Sequence, residues 1–429
     1  MNPILDIVSR HRQGEQVGVP SVCSAHPLVL EATFRNAAIH DSPLVLVEAT
    51  SNQVNQFGGY TGMTPSAFRD FALGIADAAG FDRARVILGG DHLGPNAWQD
   101  RPAEEAMALS ETMIADYVAA GFGKIHLDCS MACADDPVPV PEETIARRAA
   151  RLCNVAELVA KDAGLPPPVY VIGTEVPVPG GAHETLDTLA VTPPEAAHQT
   201  LATHRAIFAE HGLADAWPRV IALVVQPGVE FDHDKVIVYD PAAATALSAL
   251  PLREELIVFE AHSTDYQPAG ALAALVRDHF AILKVGPGVT FALREALWAL
   301  DALAAEWIRA DAEPGLRATM LRVLRDNPRY WKSYYHAEGK ALDVALQYSL
   351  SDRIRYYWPD GEVQAAVAAL FKALADDPPP PPLISQHLPL AFVRLRDRGQ
   401  PMTPEALVMA HVGAVLDDYH YACNGTGKS

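Results

Sequence analysis

Val86-Ile87-Leu88-Gly89-Gly90-Asp91-His92 is an apolar run that ends in a carboxylate beside an imidazole. A run with no polar alternation suits a strand covered on both faces, as in a parallel sheet flanked by helices. The arrangement recurs: β-prone runs over residues 17–22, 44–49, 124–128, 169–174, 220–225, 256–261 and 281–285 also end in polar groups. Between them, residues 68–79, 102–120, 142–163, 193–211, 241–250 and 268–280 are alanine-rich stretches of helical length. Several open with the Thr-Pro, Pro-Glu or Asp-Pro pairs that favour a first turn. Strand and helix alternating about eight times leave a closed barrel or an open doubly wound sheet. Eight units in roughly 285 residues favour the barrel. The expected fold is therefore α/β, a (β/α)8 TIM barrel over residues 1–310. A C-terminal helical extension over 311–429 is expected to pack on it, its helices falling near 342–350, 361–374 and 403–416.

The chain has 429 residues, 49% of them hydrophobic, which is ample for a buried core and excludes disorder as the starting assumption. A formal net charge of -20 disfavours nucleic acid and anionic membrane as partners. The five cysteines are odd in number and include no CxxC pair, so neither a disulfide framework nor a zinc ribbon is indicated. Cys129 and Cys133 read as small buried thiols, while His204, His211 and His279 lie in helical stretches and are expected at the surface. No stretch approaches the roughly 20 apolar residues of a membrane helix. A reducing cytoplasm is the expected location.

In a barrel, groups at the carboxyl ends of the strands converge on one mouth, where active sites of this fold lie. Those ends offer residues 23–26, then Glu48 with Asn52 and Gln53, Asp91-His92, His126 with Asp128, Glu175, Gln226, Glu260 with His262, and Lys284 with Gly286. Taken singly, each is as readily a helix cap or a loop tie; convergence favours chemistry at Asp91, His92, Glu175 and His262. Imidazoles and carboxylates from separate strands can hold a divalent ion, zinc being the one expected, with a position open for substrate oxygen. Such an ion polarises a carbonyl and stabilises an enediolate while a carboxylate moves protons, and Asp91 is the best candidate for that transfer. For a phosphate, Gly286-Pro287-Gly288 follows the eighth run, where barrels cradle anions on backbone N–H groups and a helix start. Ser263, Thr264, Arg353 and Arg355 are candidate further donors. Lys284 is either an ion-pair member or a substrate contact.

Three long motifs give these residues a more specific reading. Gly89-Gly90-Asp91-His92-Leu93-Gly94-Pro95-Asn96, Thr174-Glu175-Val176-Pro177 through Gly180-Gly181, and Phe259-Glu260-Ala261-His262-Ser263-Thr264-Asp265-Tyr266-Gln267 occur in order. With Ser351-Asp352-Arg353-Ile354-Arg355-Tyr356-Tyr357-Trp358 near the carboxyl end, the chain resembles the tagatose-bisphosphate aldolase non-catalytic subunit family, also called GatZ/KbaZ-like. That family is similar in turn to the zinc-dependent class II ketose-bisphosphate aldolases. The resemblance implies that Asp91 moves the proton of the C4 hydroxyl and His92 binds zinc. It implies that Asp128 and Glu175 match further catalytic-site carboxylates, and that His262 matches one of two later zinc histidines. The other falls at Val224-Val225-Gln226, where Gln226 offers only a neutral oxygen, so the implied ligand set is His92, Gln226 and His262 with Glu175.

Members of the family are described either as stabilising partners of a catalytic aldolase subunit or as epimerases of D-tagatose 6-phosphate and D-fructose 6-phosphate. The second role implies a metal-dependent isomerase in galactitol or tagatose catabolism, working by retro-aldol cleavage and re-addition. No nicotinamide is expected, because no glycine-rich dinucleotide loop of the required spacing occurs. The expected partners are a small sugar phosphate and, in the first role, a class II aldolase subunit, with association between copies left open.

Overall fold

Eight parallel strands close on themselves in sequence order in the computed structural model, which describes residues 2–173, 189–254, 257–308 and 315–425. They are β1 (Val19–Val22), β2 (Val45–Thr50), β3 (Val86–Leu93), β4 (Lys124–Leu127), β5 (Val169–Gly173), β6 (Val220–Val224), β7 (Val258–Ala261) and β8 (Ile282–Val285). The ring closes through β1 and β8, with Val19 opposite Ile282 and Val22 opposite Val285. This is the (β/α)8 TIM barrel. Each apolar run named above matches one of its strands to within two residues at either end, because strands covered on both faces are mostly apolar, the exceptions being charged side chains that point into the barrel.

Helices occupy the crossovers, and their starts follow from sequence chemistry. Pro27, Pro65, Pro194, Pro241 and Pro287 each sit in a first helical turn, where the missing N–H costs nothing. Thr64 and Asp240 cap two of these helices through side-chain oxygens. Beyond Pro287–Trp307 the chain adds Leu316–Asp326, Gly339–Tyr348, Gly361–Asp376, Pro381–His387, Pro389–Asp397 and Pro404–Asn424. The last of these returns to the barrel. It packs on Pro27–Ile39, Ala269–Arg277 and Pro287–Trp307, and Tyr419 Oη donates to the Thr264 carbonyl oxygen at 2.8 Å. Among the described residues no helix is long and apolar enough to cross a membrane.

Cys129 and Cys133 are buried and free. His211 is exposed, but His204 is not the surface residue its helical position suggested: it is fully buried, with Nδ1 2.9 Å from the Thr200 carbonyl oxygen. His279 is half-buried and pairs with His11 at 2.9 Å. The periodicity of these helices marks which face is apolar, yet a histidine tied to its own helix can sit within that face.

The sheet is irregular at one functionally important place. Between β3 and β4 the register shifts between Gly90 and Leu93, and His92 has a left-handed φ of 49°. Consecutive residues of a regular strand face opposite sides. The bulge removes that alternation, so Asp91 and His92 both turn into the barrel mouth and both are buried. Gly94 makes the next turn possible, since a Cβ there would lie 1.7 Å from the Asp128 carbonyl oxygen. Gly94→Ala therefore should force β3 and β4 apart and lower stability by about 1–3 kcal/mol, the usual cost of overpacking. Urea unfolding of the variant checks this, and a midpoint equal to that of the parent would refute it.

Candidate active site and metal centre

Period-two alternation along the strands places charged side chains inside the barrel. On β4 both Lys124 and His126 point inward, as do Glu48 on β2, Glu260 on β7 and Lys284 on β8. Lys124 Nζ lies 2.5 Å from Glu48 Oε1 and 2.7 Å from Glu260 Oε2. Lys284 Nζ contacts Glu48 Oε2, lies 2.9 Å from Asp91 Oδ1, and is 3.9 Å from Glu260 Oε1. Gly89 leaves room for this network: a Cβ there would meet the Glu48 carboxylate at 2.6 Å. Burial opposes the charge on Lys284, but Asp91 and Glu48 outweigh it and hold its pKa well above the ordinary lysine value. Lys284 is thus a permanent cation that serves the carboxylates around it.

Above that layer three imidazoles meet. The ring centroids of His92, His126 and His262 lie 4.9–5.2 Å apart pairwise. One donor atom from each of Asp91, His126, Glu260 and His262 lies within 4.8 Å of all the others. His126 Nδ1 is 3.0 Å from Asp91 Oδ1, while His126 Nε2 is buried with no hydrogen-bond partner. An orphaned buried imidazole nitrogen is costly unless something accepts its lone pair or its proton. Nitrogen and carboxylate donors suit zinc or a similar divalent ion, so the residues present fit a metal. A second grouping, Cys23, Glu48 and Asp91, also converges but offers no imidazole.

The protonation states follow from the neighbours. Burial opposes ionisation of Asp91, but His92, Lys284 and the His126 hydrogen bond outweigh it and hold its pKa well below the usual carboxylate range. Asp128 is also held low: burial is outweighed by its hydrogen bond to His92, 2.8 Å from Oδ2 to Nδ1. A carboxylate on Nδ1 fixes the imidazole and raises its basicity, and the His92 pKa is raised despite burial. Burial pushes His262 down to about 4, partly countered by its 3.0 Å bond to Glu260, so this ring is neutral at pH 7.

A pocket of about 80 Å³ opens beside the cluster, and Asp91, His92, His262, Ser263, Lys284, Gly286 and Arg355 line it. Seven residues expected from the sequence therefore meet at one place, joined by Cys23, Gln53, Tyr60, Asp265 and Tyr356. Arg355 arrives from the carboxyl-terminal extension on the short helix Arg353–Tyr357, with its guanidinium 4.6 Å from the Tyr356 ring centroid.

Other expected residues stand apart. Asp128 lies behind His92, bonded to Ser130 as well, and does not line the pocket. Thr264 Oγ1 donates to the Lys284 carbonyl oxygen at 2.6 Å, and the Gly288 N–H is directed at Asp265. Arg353 packs over the Tyr334 and Tyr356 rings and faces a neighbouring chamber instead. Two expected metal ligands are outside the donor cluster: His92, whose Nδ1 is bonded to Asp128, and Gln226, whose Oε1 accepts from the N–H groups of Gly228 and Val229 at 2.8 and 2.9 Å. Glu175, Gly180 and Gly181 lie outside the described residues.

His126 and Lys124 are what motif reading passed over. His126 was visible as a strand-end histidine, and its two-residue spacing from Lys124 was a signal that both face inward.

The chain belongs to the family described as D-tagatose-1,6-bisphosphate aldolase subunit GatZ/KbaZ-like, which it matches over residues 4–424. It is 50% identical to a crystal structure from Sinorhizobium meliloti 1021 described as a probable tagatose 6 phosphate kinase, with a TM-score of 0.87 over 95% of this chain and 100% of that one. Looser likenesses are the YdjI aldolase of Escherichia coli K12, 12% identical with a TM-score of 0.41 over 86% of this chain and 97% of that one. The fructose-bisphosphate aldolase of Campylobacter jejuni is likewise 12% identical, with a TM-score of 0.46 over 86% and 91%.

Two outcomes are expected here. His126→Ala and His262→Ala should each weaken zinc binding by at least about tenfold, while Gln226→Ala should leave it within about twofold. Competition against a chromogenic chelator measures this, and a large loss at Gln226 would return that residue to the ligand set. The second outcome concerns acid. His204 and His262 both sit near a folded pKa of about 4, below the unfolded value of about 6.5. Between those values the unfolded chain binds protons that the folded chain refuses, so stability falls as pH falls through that window. Metal-free protein should lose about 2 kcal/mol per histidine between pH 7 and pH 5. Urea unfolding at the two pH values, with His204→Phe showing a shallower dependence, checks the sign.

Proposed function

We propose that this chain is a sugar-phosphate 4-epimerase that interconverts D-tagatose 6-phosphate and D-fructose 6-phosphate by metal-assisted retro-aldol cleavage and re-addition. The observation that carries the reading is an ionised Asp91 facing a small pocket beside three imidazoles and the Lys284 cation. The two sugars differ in configuration at C4. That carbon is β to the C2 carbonyl, so its hydrogen is not acidic enough for direct removal. Cleavage of the C3–C4 bond makes C4 a planar aldehyde carbon, and re-addition to its opposite face inverts it.

The side chains can be assigned to those needs. Asp91 accepts the O4 proton as the C3–C4 bond breaks and returns it after re-addition. Lys284, 2.9 Å from Asp91, keeps that carboxylate ionised beforehand. His126, His262 and Glu260, with His92 set beside them by Asp128, would hold a divalent ion, with zinc the best fit to the donors. Such an ion supplies Lewis-acid stabilisation of charge developing on the C2 and C3 oxygens. Arg355 and Ser263 bind the phosphate end of the substrate. Confinement keeps the two fragments at high effective concentration, so re-addition outruns escape. Glu175, in the segment after β5, is a candidate second carboxylate.

The family description favours one other reading, a subunit that stabilises a class II tagatose-1,6-bisphosphate aldolase without turning over substrate itself. The barrel interior argues for chemistry, because a scaffold gains nothing from three imidazoles gathered with two carboxylates beside a pocket. Kinase activity, suggested by the description of the Sinorhizobium relative, would call for a nucleotide site, and the sequence contains no GxxxxGK[ST] loop.

Purified chain alone, given D-tagatose 6-phosphate, should form D-fructose 6-phosphate, and a chelator should abolish this. Asp91→Asn should lower turnover by about 10²–10⁴-fold, the usual weight of a general base. His92→Ala should lower it together with bound metal. Turnover that begins only when an aldolase subunit is added would decide for the scaffold reading.

A further inference from the structure

Helix Pro287–Trp307 begins at the pocket wall, and its first amides are where a barrel of this kind holds phosphate. In this chain those amides are already taken. Gly286 N donates to Asp265 Oδ1 at 2.9 Å and Gly288 N donates to the same oxygen at 2.7 Å. Asp265 is 3% exposed and lines the pocket beside Gly286 and Pro287. The fit is close, since a Cβ on Gly288 would lie 3.1 Å from that oxygen. Burial pushes the Asp265 pKa up to about 6, with the two amides pulling against it, so the group is an anion at neutral pH.

We infer that Asp265 is a specificity-determining residue: it fills the anion cradle at this helix and bars a phosphate from that end of the pocket, so the site takes a ketohexose monophosphate and rejects the bisphosphate. The inference rests on the sugar-phosphate reading above and adds which phosphates are admitted. A phosphate could enter the cradle only by stripping Asp265 of both donors, leaving a buried carboxylate next to a dianion. A neutral hydroxymethyl group meets no such barrier. A carboxylate has about four lone-pair positions, so after the two amides Asp265 can still accept a hydrogen bond from a sugar hydroxyl. The cations agree. Lys284 is paired with Glu48 and Asp91, whereas Arg355 lies within ion-pair distance of no carboxylate among the described residues. The pocket thus has one cation to offer, sufficient for one phosphate.

The test is equilibrium binding, independent of turnover, by calorimetry on the zinc-loaded full chain with D-fructose 6-phosphate and D-fructose 1,6-bisphosphate. The parent should bind the monophosphate at least about tenfold more tightly. Asp265→Ala, which opens the cradle, should shift the ratio of the two affinities toward the bisphosphate by at least about tenfold. Should Asp265→Ala fail to fold, Asp265→Asn keeps an oxygen for the two amides and removes only the charge, and should shift the ratio the same way by less. Equal binding of both sugars by the parent, or an unchanged ratio in a folded variant, overturns the inference while leaving the sugar-phosphate reading intact. Failure of D-fructose 6-phosphate to bind the parent overturns that reading, and this inference with it.

Discussion

Lys124, held between Glu48 and Glu260 in the barrel interior, is the interaction around which the rest is arranged. All three side chains are fully buried, and their charges meet those of Lys284 and Asp91 in one connected network. Charges taken out of water cost several kcal/mol each after relaxation, and mutual attraction offsets this only when the geometry is good. Breaking such a pair from one side typically costs about 3–5 kcal/mol. Strands β2, β3, β4, β7 and β8 are therefore locked in register by charge as well as by backbone hydrogen bonds. The same network sets the electrostatics of the mouth: Lys284 lowers Asp91, and Lys124 lowers Glu260, against the opposing effect of burial.

The bulge at the end of β3 turns that foundation into a site. Without the left-handed residue at His92, Asp91 and His92 would face opposite sides of the sheet, and only one could reach the mouth. Asp128 then holds His92 from behind, and His126 bridges from β4 to Asp91. A non-glycine residue at positive φ is an uncommon conformation, retained where the surroundings over-determine it. Here the surroundings are two hydrogen-bonded carboxylates and two further rings.

The carboxyl-terminal helices complete the mouth. Asp352 adopts a left-handed conformation just before the helix Arg353–Tyr357, and that turn brings Arg355 to the pocket while Arg353 is stacked between tyrosines. Two arginines two residues apart thus have different surroundings. The final helix, Pro404–Asn424, fixes the floor from outside through Tyr419, which bonds the Thr264 backbone and side chain. The extension is for this reason part of the pocket as well as a cover for the barrel.

The barrel was legible in the sequence because burial on both faces demands predominantly apolar runs, and because helix starts carry local signals such as proline and threonine. Asp91, His92, His262, Ser263, Lys284 and Gly286 were legible as pocket residues because a parallel barrel sends every strand end to one mouth, whereas Arg355, a candidate donor by its type, is brought there by the extension. Three matters were left to the tertiary structure. Gln226 turns to cap its own loop while His126 joins the donor cluster, since a neutral amide is best satisfied by nearby N–H groups whereas an inward imidazole on β4 has no such local outlet. Gly286 and Gly288 read as a phosphate cradle but are filled by Asp265, a carboxylate 21 and 23 residues away in sequence. His204 is buried despite its polar character. Sequence determines what each segment is able to do locally; which donor meets which acceptor across the barrel is decided by packing, because a buried polar group bonds to whatever the fold brings within about 3 Å.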